Sequence, residues 1–157
     1  MLKKSVPYLI GIAIALFVGA VSAYVTVGAM DVYADIVKPS LAPPAILFPI
    51  VWTVLYILMG VSSALVYNKR QGNENNTLNA LIVYFISLLI NFAWSPVFFI
   101  KRNFLFALIL LIALWISVLV TILKYKKLSP PAAYLQIPYL LWCSFAAYLN
   151  ASIYFLN

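Results

Sequence analysis

The residues able to do chemistry in this chain are rings and amides set at helical spacing. Phe48, Trp52 and Tyr56 fall at i, i+4 and i+8, with Met59 and Ser63 close to the same stripe. Ser87, Asn91 and Ser95 share a second face, with Trp94 and Phe98 beside it. Trp142, Ala146 and Asn150 repeat the spacing of four. If the three faces converge, they make a pocket for a flat apolar ligand. Rings supply stacking area, Ala and Ser leave room, and Asn91 offers an oriented donor and acceptor. Each face taken singly also has a purely structural reading. Trp and Tyr anchor helices at the headgroup level, and an aromatic stripe packs more often than it binds. An amide in mid-span needs a partner, so Asn91 either joins two helices or faces a ligand.

The missing residue types narrow the chemistry further. The chain has no His, which removes the usual proton shuttle and the commonest metal ligand. The lone Cys143 cannot form a CxxC site, an intrachain disulfide or a Cys-rich zinc or iron–sulfur site. No metal site is therefore expected. Asp31, Asp35 and Glu74 are the only carboxylic side chains, and all lie between the apolar runs. A proton-driven pump or a paired-carboxylate hydrolase would need such groups inside the membrane or facing each other in a site. Neither is expected. Asp31 and Asp35, four apart, read as a solvated loop pair.

The elements that must position these side chains follow from the distribution of charge. Of 157 residues, 66% are hydrophobic and only 8% charged, far from the roughly one quarter of a soluble domain. Five stretches carry no charged residue: 5–30, 39–68, 75–100, 103–123 and 128–157. Each exceeds the ~20 residues a helix needs to cross the hydrocarbon core. They lack the period-two alternation of a membrane barrel. The sequence thus predicts an all-α, polytopic integral membrane protein: one five-transmembrane-helix bundle over 1–157. Its spans are expected near 6–29, 44–67, 78–100, 104–123 and 131–153, with the first loop, about 31–43, as a lid over the pocket.

Basic residues set the expected orientation. Seven Lys/Arg flank one side and three the other, which places the N-terminus in the cytoplasm and the C-terminus outside. The net charge of +7 is then topological rather than a nucleic-acid footprint, and no nucleic acid is expected as a partner. The first run has the basic start and the small-residue Val21-Ser22-Ala23 of a signal peptide, yet its apolar stretch continues to Met30. An uncleaved span is the favoured reading. Gly11, Ala15, Gly19 and Ala23 form a ridge of small residues along it. Such a ridge seats another helix, either of the same chain or of a second copy in a homodimer. Pro96 and Pro138 lie within spans and invite kinks. Pro43, Pro44 and Pro49 crowd the entry to the second span, and Ser129-Pro130-Pro131 reads as a serine cap followed by a proline start.

At these residues the chain resembles the translocator-protein family, also called tryptophan-rich sensory proteins or peripheral benzodiazepine receptors. The segments are Lys38-Pro39-Ser40-Leu41-Ala42-Pro43-Pro44 and Val51-Trp52-Thr53-Val54-Leu55-Tyr56, the latter followed by Met59-Gly60. Asn91-Phe92-Ala93-Trp94-Ser95-Pro96-Val97-Phe98-Phe99 looks like the family's third-helix motif, and Pro138-Tyr139-Leu140-Leu141-Trp142 through Asn150 like its fifth helix. The resemblance covers nearly the whole chain. It implies a five-helix bundle, often dimeric, in a cell membrane if the chain is a bacterial member. It also implies a ligand: a porphyrin such as protoporphyrin IX or haem, or synthetic isoquinoline-carboxamides and benzodiazepines, with no obligatory cofactor.

The same resemblance assigns roles to residues. Trp52 and Trp142 match the tryptophans tied to light-dependent porphyrin breakdown, the nearest thing here to catalytic residues. Asn91, Trp94 and Ala146 match pocket positions, and Tyr33, Pro43, Phe48 and Tyr56 would line the lid side. Two departures matter. Leu41 stands where the family usually has Trp, removing an aromatic from the lid. Tyr154 is followed only by Phe155, Leu156 and Asn157, so the family's sterol pattern is absent there. Leu123-Lys124-Tyr125-Lys126-Lys127 fits that pattern elsewhere, but such matches are weak. Without His, only Cys143, a Met or a Tyr could ligate haem iron, and Cys143 points about 100° from Trp142 around the helix. A ring held by stacking and shape is expected. The function is then a porphyrin sensor or scavenger, with photo-oxidative turnover, or a passive carrier or export helper. A ligand-free scaffold remains if Asn91 proves buried with no cavity beside it.

Overall fold

A computed structural model describes residues 2–29 and 31–157, with side chains from Ser5 onward. Lys3 and Lys4, which the sequence uses to orient the first span, have side chains outside that set. Five long helices account for most of the chain: α1 (Leu2–Thr26), α3 (Leu47–Tyr67), α4 (Glu74–Phe99), α5 (Phe104–Leu128) and α6 (Pro130–Leu156). A short α2 (Val32–Asp35) interrupts the first loop, and a 3-10 turn, Val27–Ala29, extends α1. Among the described residues there is no strand. Each of the five long helices is apolar and long enough to span a bilayer.

The connections explain the order of packing. A single residue, Ser129, joins α5 to α6, and a tight turn at Ile100–Asn103 joins α4 to α5. So short a link forces antiparallel neighbours. Arg102 takes a left-handed conformation in that turn (φ 49°), and the Asn103 side chain caps α5 by accepting from the Phe106 amide at 3.0 Å. The resulting ring runs α1–α3–α6–α5–α4 and closes where α4 returns to α1.

Several boundaries differ from the sequence expectation for identifiable reasons. Helix α3 starts at Leu47, because Pro44 and Ala45 spend their carbonyls on turn bonds to the Leu47 and Phe48 amides. Pro49 then sits in the first turn, where its missing N–H costs nothing. Helix α5 runs on through Lys124, Lys126 and Lys127; cations suit the negative end of a helix, and their stems lie along apolar surface. Ser129 starts α6 with its carbonyl, which accepts from Ala132 and Ala133, while its side chain makes no cap bond. Pro96 and Pro138 do lie inside helices, as expected.

The ridge of small residues on α1 is used within the chain. Ala15 is fully buried, and a methyl added at Gly11 would collide with the Gly60 carbonyl on α3. One added at Gly19 would strike the Tyr56 ring, while Ala23 is exposed. A homodimer seam through Gly11, Ala15 and Gly19 is therefore corrected: α3 already occupies it. Large apolar side chains such as Phe17, Leu89 and Leu141 face outward instead, as suits a helix bundle solvated by lipid.

Candidate functional site

The aromatic stripe of α3 meets α6 and the first loop at one end of the bundle. Helix α2 turns Tyr33 inward, where it is buried and its hydroxyl donates to the Pro43 carbonyl at 2.9 Å. Burial pushes its phenol above the ordinary range. The ring of Tyr33 meets Phe48 edge-on at 5.2 Å, and Phe48 meets Trp142 at 5.9 Å. Trp142 stands nearly perpendicular to Trp52, 88° at 6.5 Å. Trp52 stacks on Tyr56 at 5.5 Å, and the Tyr56 hydroxyl accepts from the Asn91 side-chain amide at 2.9 Å. One continuous series of contacts thus runs from the lid to the middle of the bundle. The spacing of four on α3 and the bend-tolerant Pro138 segment of α6 are what bring it together.

The loop above is tied down at several points. Lys38 donates to the Tyr33 carbonyl at 2.7 Å and sits 4.8 Å from that ring's centre. The Val37 amide and carbonyl exchange bonds with the Asn157 side chain, each 3.0 Å. Asp35 faces Arg102 at 3.9 Å, with both side chains largely exposed. Leu41, at the position where an aromatic would be usual, is 66% exposed and roofs nothing.

Not every expected residue joins the series. Trp94 stacks on Phe98 at 5.1 Å, and its indole N–H donates to the Asn150 Oδ1 at 3.1 Å. Asn150 in turn donates to the Phe104 carbonyl at 2.8 Å, so it brackets α4, α5 and α6. Trp94 is therefore held by a structural bracket. Ala146 lies one turn beyond Trp142, half-buried against the main core. Asn91 is buried and its amide joins α4 to α3 through Tyr56. Sequence reasoning passed over Tyr139, which is fully buried and meets Trp52 edge-on at 6.1 Å. The available signal was its position three before Trp142, on the same helix face. Cys143 is completely buried, away from the half-buried Trp142.

Trp142 has a second feature. Its Nε1 is buried without a hydrogen-bond partner, and its ring also lines an apolar groove of about 590 Å³ between α3 and α6. Val54, Leu58, Pro138 and Leu141 are among the other residues that line that groove. Among the described residues no group of His, Cys, Asp and Glu is placed to hold a metal. This geometry coincides with a sequence match to the TspO/MBR family over residues 11–156.

The chain belongs to the TspO/MBR family. It is 44% identical to the tryptophan-rich protein TspO of Chlorobaculum tepidum, over 80% of this chain and 78% of that protein. It is 34% identical to the protein CrtK of Rhodobacter capsulatus, over 88% and 85%. The human translocator protein is 35% identical over 78% of this chain and 72% of its own length. The family match begins at Gly11, within α1 (Leu2–Thr26).

Proposed function

We propose that this TspO/MBR member binds a porphyrin or a similar flat tetrapyrrole against the Trp52–Trp142 pair. It serves as a membrane sensor or scavenger and, in light and oxygen, breaks the bound ring down. The observation that carries this reading is the perpendicular indole pair, one member of which also lines an apolar groove on the bundle's outer face. A ring arriving from the bilayer reaches Trp142 there without crossing the lid. The names of relatives, tryptophan-rich sensory protein and translocator protein, agree with a sensor- or translocator-type role in a membrane.

The side chains divide the work. Phe48, Trp52 and Trp142 supply stacking surface. Lys38 keeps ammonium protons beyond the one it gives to the Tyr33 carbonyl, and they meet a propionate at the lid. The indoles are the oxidisable groups nearest the ring; molecular oxygen is the oxidant for ring breakdown, and the indoles stand where they would meet the light-excited ring. Tyr56 and Tyr139 stand behind Trp52 at 5.5 and 6.1 Å. Cys143 is buried, so iron gains no thiolate and the affinity for haem should match that for the metal-free ring.

Illumination of the bound porphyrin tests the chemistry. W52F/W142F keeps aromatic surface and should abolish most of the degradation while leaving binding within a fewfold. An unchanged rate in that variant would reduce the indoles to packing. Titration with metal-free and iron porphyrin tests the stacking mode, and a much tighter haem complex with a ligated-iron spectrum would defeat it. The carrier reading draws on the same groove, which gives access from the lipid. Porphyrin flux into proteoliposomes in the dark supports the carrier, and its absence supports the sensor.

A further inference from the structure

A second cavity, at the opposite end of the bundle, takes no part in that reading. It measures about 1000 Å³, at the top of the ~300–1,000 Å³ range of small-molecule sites. Small residues, Gly11 on α1 with Ser63 and Ala64 on α3, are among those that line it. Its walls are apolar: Ile10 and Ile14 from α1, Leu81 and Phe85 from α4. Its mouth is polar, formed where α3 ends by Asn68, Lys69 and Arg70.

The charge at that mouth is not neutralised by the protein. The Arg70 guanidinium lies 4.2 Å from the Tyr67 ring centre and donates once, to the Tyr67 carbonyl at 3.2 Å. Among the described residues no carboxylate comes within 4.0 Å of Lys69 or Arg70. The nearby Glu74 carboxylate accepts from the Gly72 amide instead, at 3.1 Å. A cleft with apolar side chains along its helices, and at the helix terminus two cations with no carboxylate within 4.0 Å among the described residues, fits one kind of molecule. That molecule has a long hydrocarbon tail and an anionic head.

We propose that this cavity holds an acyl chain of an anionic phospholipid, with its phosphate at Lys69 and Arg70. A zwitterionic lipid offers the same phosphate but brings its own cation, so it gains less from these residues. The site is separate from the Trp52–Trp142 pair, and its occupant is a resident of the bilayer rather than a transient ligand.

Native mass spectrometry of the protein from mixed phosphatidylglycerol and phosphatidylcholine of matched chains tests the site. The wild type should retain phosphatidylglycerol preferentially. K69Q/R70Q should lower that preference about thirtyfold, since each of the two basic residues contributes ~1 kcal/mol at an anionic surface. K126Q/K127Q removes the same charge from the end of α5 and should leave the preference intact. I10W, with every cation in place, puts an indole into the cleft and should lower phosphatidylglycerol retention by severalfold. Absence of a preference in the wild type overturns the proposal. So does an equal loss in K126Q/K127Q, which would make the effect one of general surface charge. Unchanged retention in either K69Q/R70Q or I10W likewise places the lipid elsewhere.

Discussion

Helix α3 faces α1 with Gly60 and faces α6 with Phe48 and Trp52, and the two seams differ in kind. At the first, a methyl on Gly60 would overlap the backbone of Ile12, because the two helices touch main chain to main chain. At the second, rings near Phe48 and Trp52 meet edge-on at 5.9 to 6.5 Å beside a groove at Trp142. The other end of that seam is tied by Ser62, which donates to the Ala132 carbonyl at 2.7 Å and accepts from Gln136 at 3.2 Å. Inside a bilayer no hydrophobic force drives helices together, so close approach through small residues is what holds them. A seam of large rings gives up part of that contact. Helix α3 is fastened along its α1 side, and on its α6 side it is fastened at the Ser62 end and adaptable only at the Trp52 end.

The sharpest break of this contrast is at Gly60. G60V should cost about 3 kcal/mol or more through backbone displacement, read as a fall in the thermal midpoint in detergent. A variant as stable as the wild type would show that the α1–α3 seam is not tight. Next comes N150A, which strands the Trp94 indole N–H and the Phe104 carbonyl and should cost about 2 kcal/mol. Y56F leaves the Asn91 amide without its acceptor and should cost about 1 kcal/mol, since hydrogen bonds within membranes are modest.

On the adaptable seam the expectation reverses. L141A, at a residue 64% exposed beside the groove, should change stability by less than ~0.5 kcal/mol. L141W, which fills the groove, should weaken porphyrin binding severalfold at unchanged stability; unaltered binding would move the entry route away from α3 and α6. The ion pair of the first loop is also expected to matter little. D35N removes a contact whose partners are both largely exposed, and such pairs contribute at most ~1 kcal/mol and often nothing measurable.

Much of this was legible before any coordinates. Charge-free runs gave five spans because a bilayer demands about 20 apolar residues and leaves charges to the loops. The spacing of four put Phe48, Trp52 and Tyr56 on one face, since that follows from helix geometry alone. Trp94 shows the limit. Its motif placed it with the other tryptophans, and it does pack against the same core as Trp52 and Trp142, but the Asn150 Oδ1 takes its indole N–H and it also borders a second cluster around Phe98. Asn91 carried two readings, and only the tertiary structure shows that its amide reaches the Tyr56 hydroxyl across the bundle.

The sequence by itself determined the fold class, the number of spans, the chemistry that is missing and the ring-bearing faces. These depend on composition and on distances along a single helix. Tertiary structure decided which faces meet: that the small-residue ridge of α1 is consumed by α3, that Tyr139 joins Trp52, and that a cleft opens at the basic end. Those outcomes depend on the order of helices around the ring and on their rotation about their own axes. Both are fixed by many weak contacts between segments far apart in the chain, which no local pattern records.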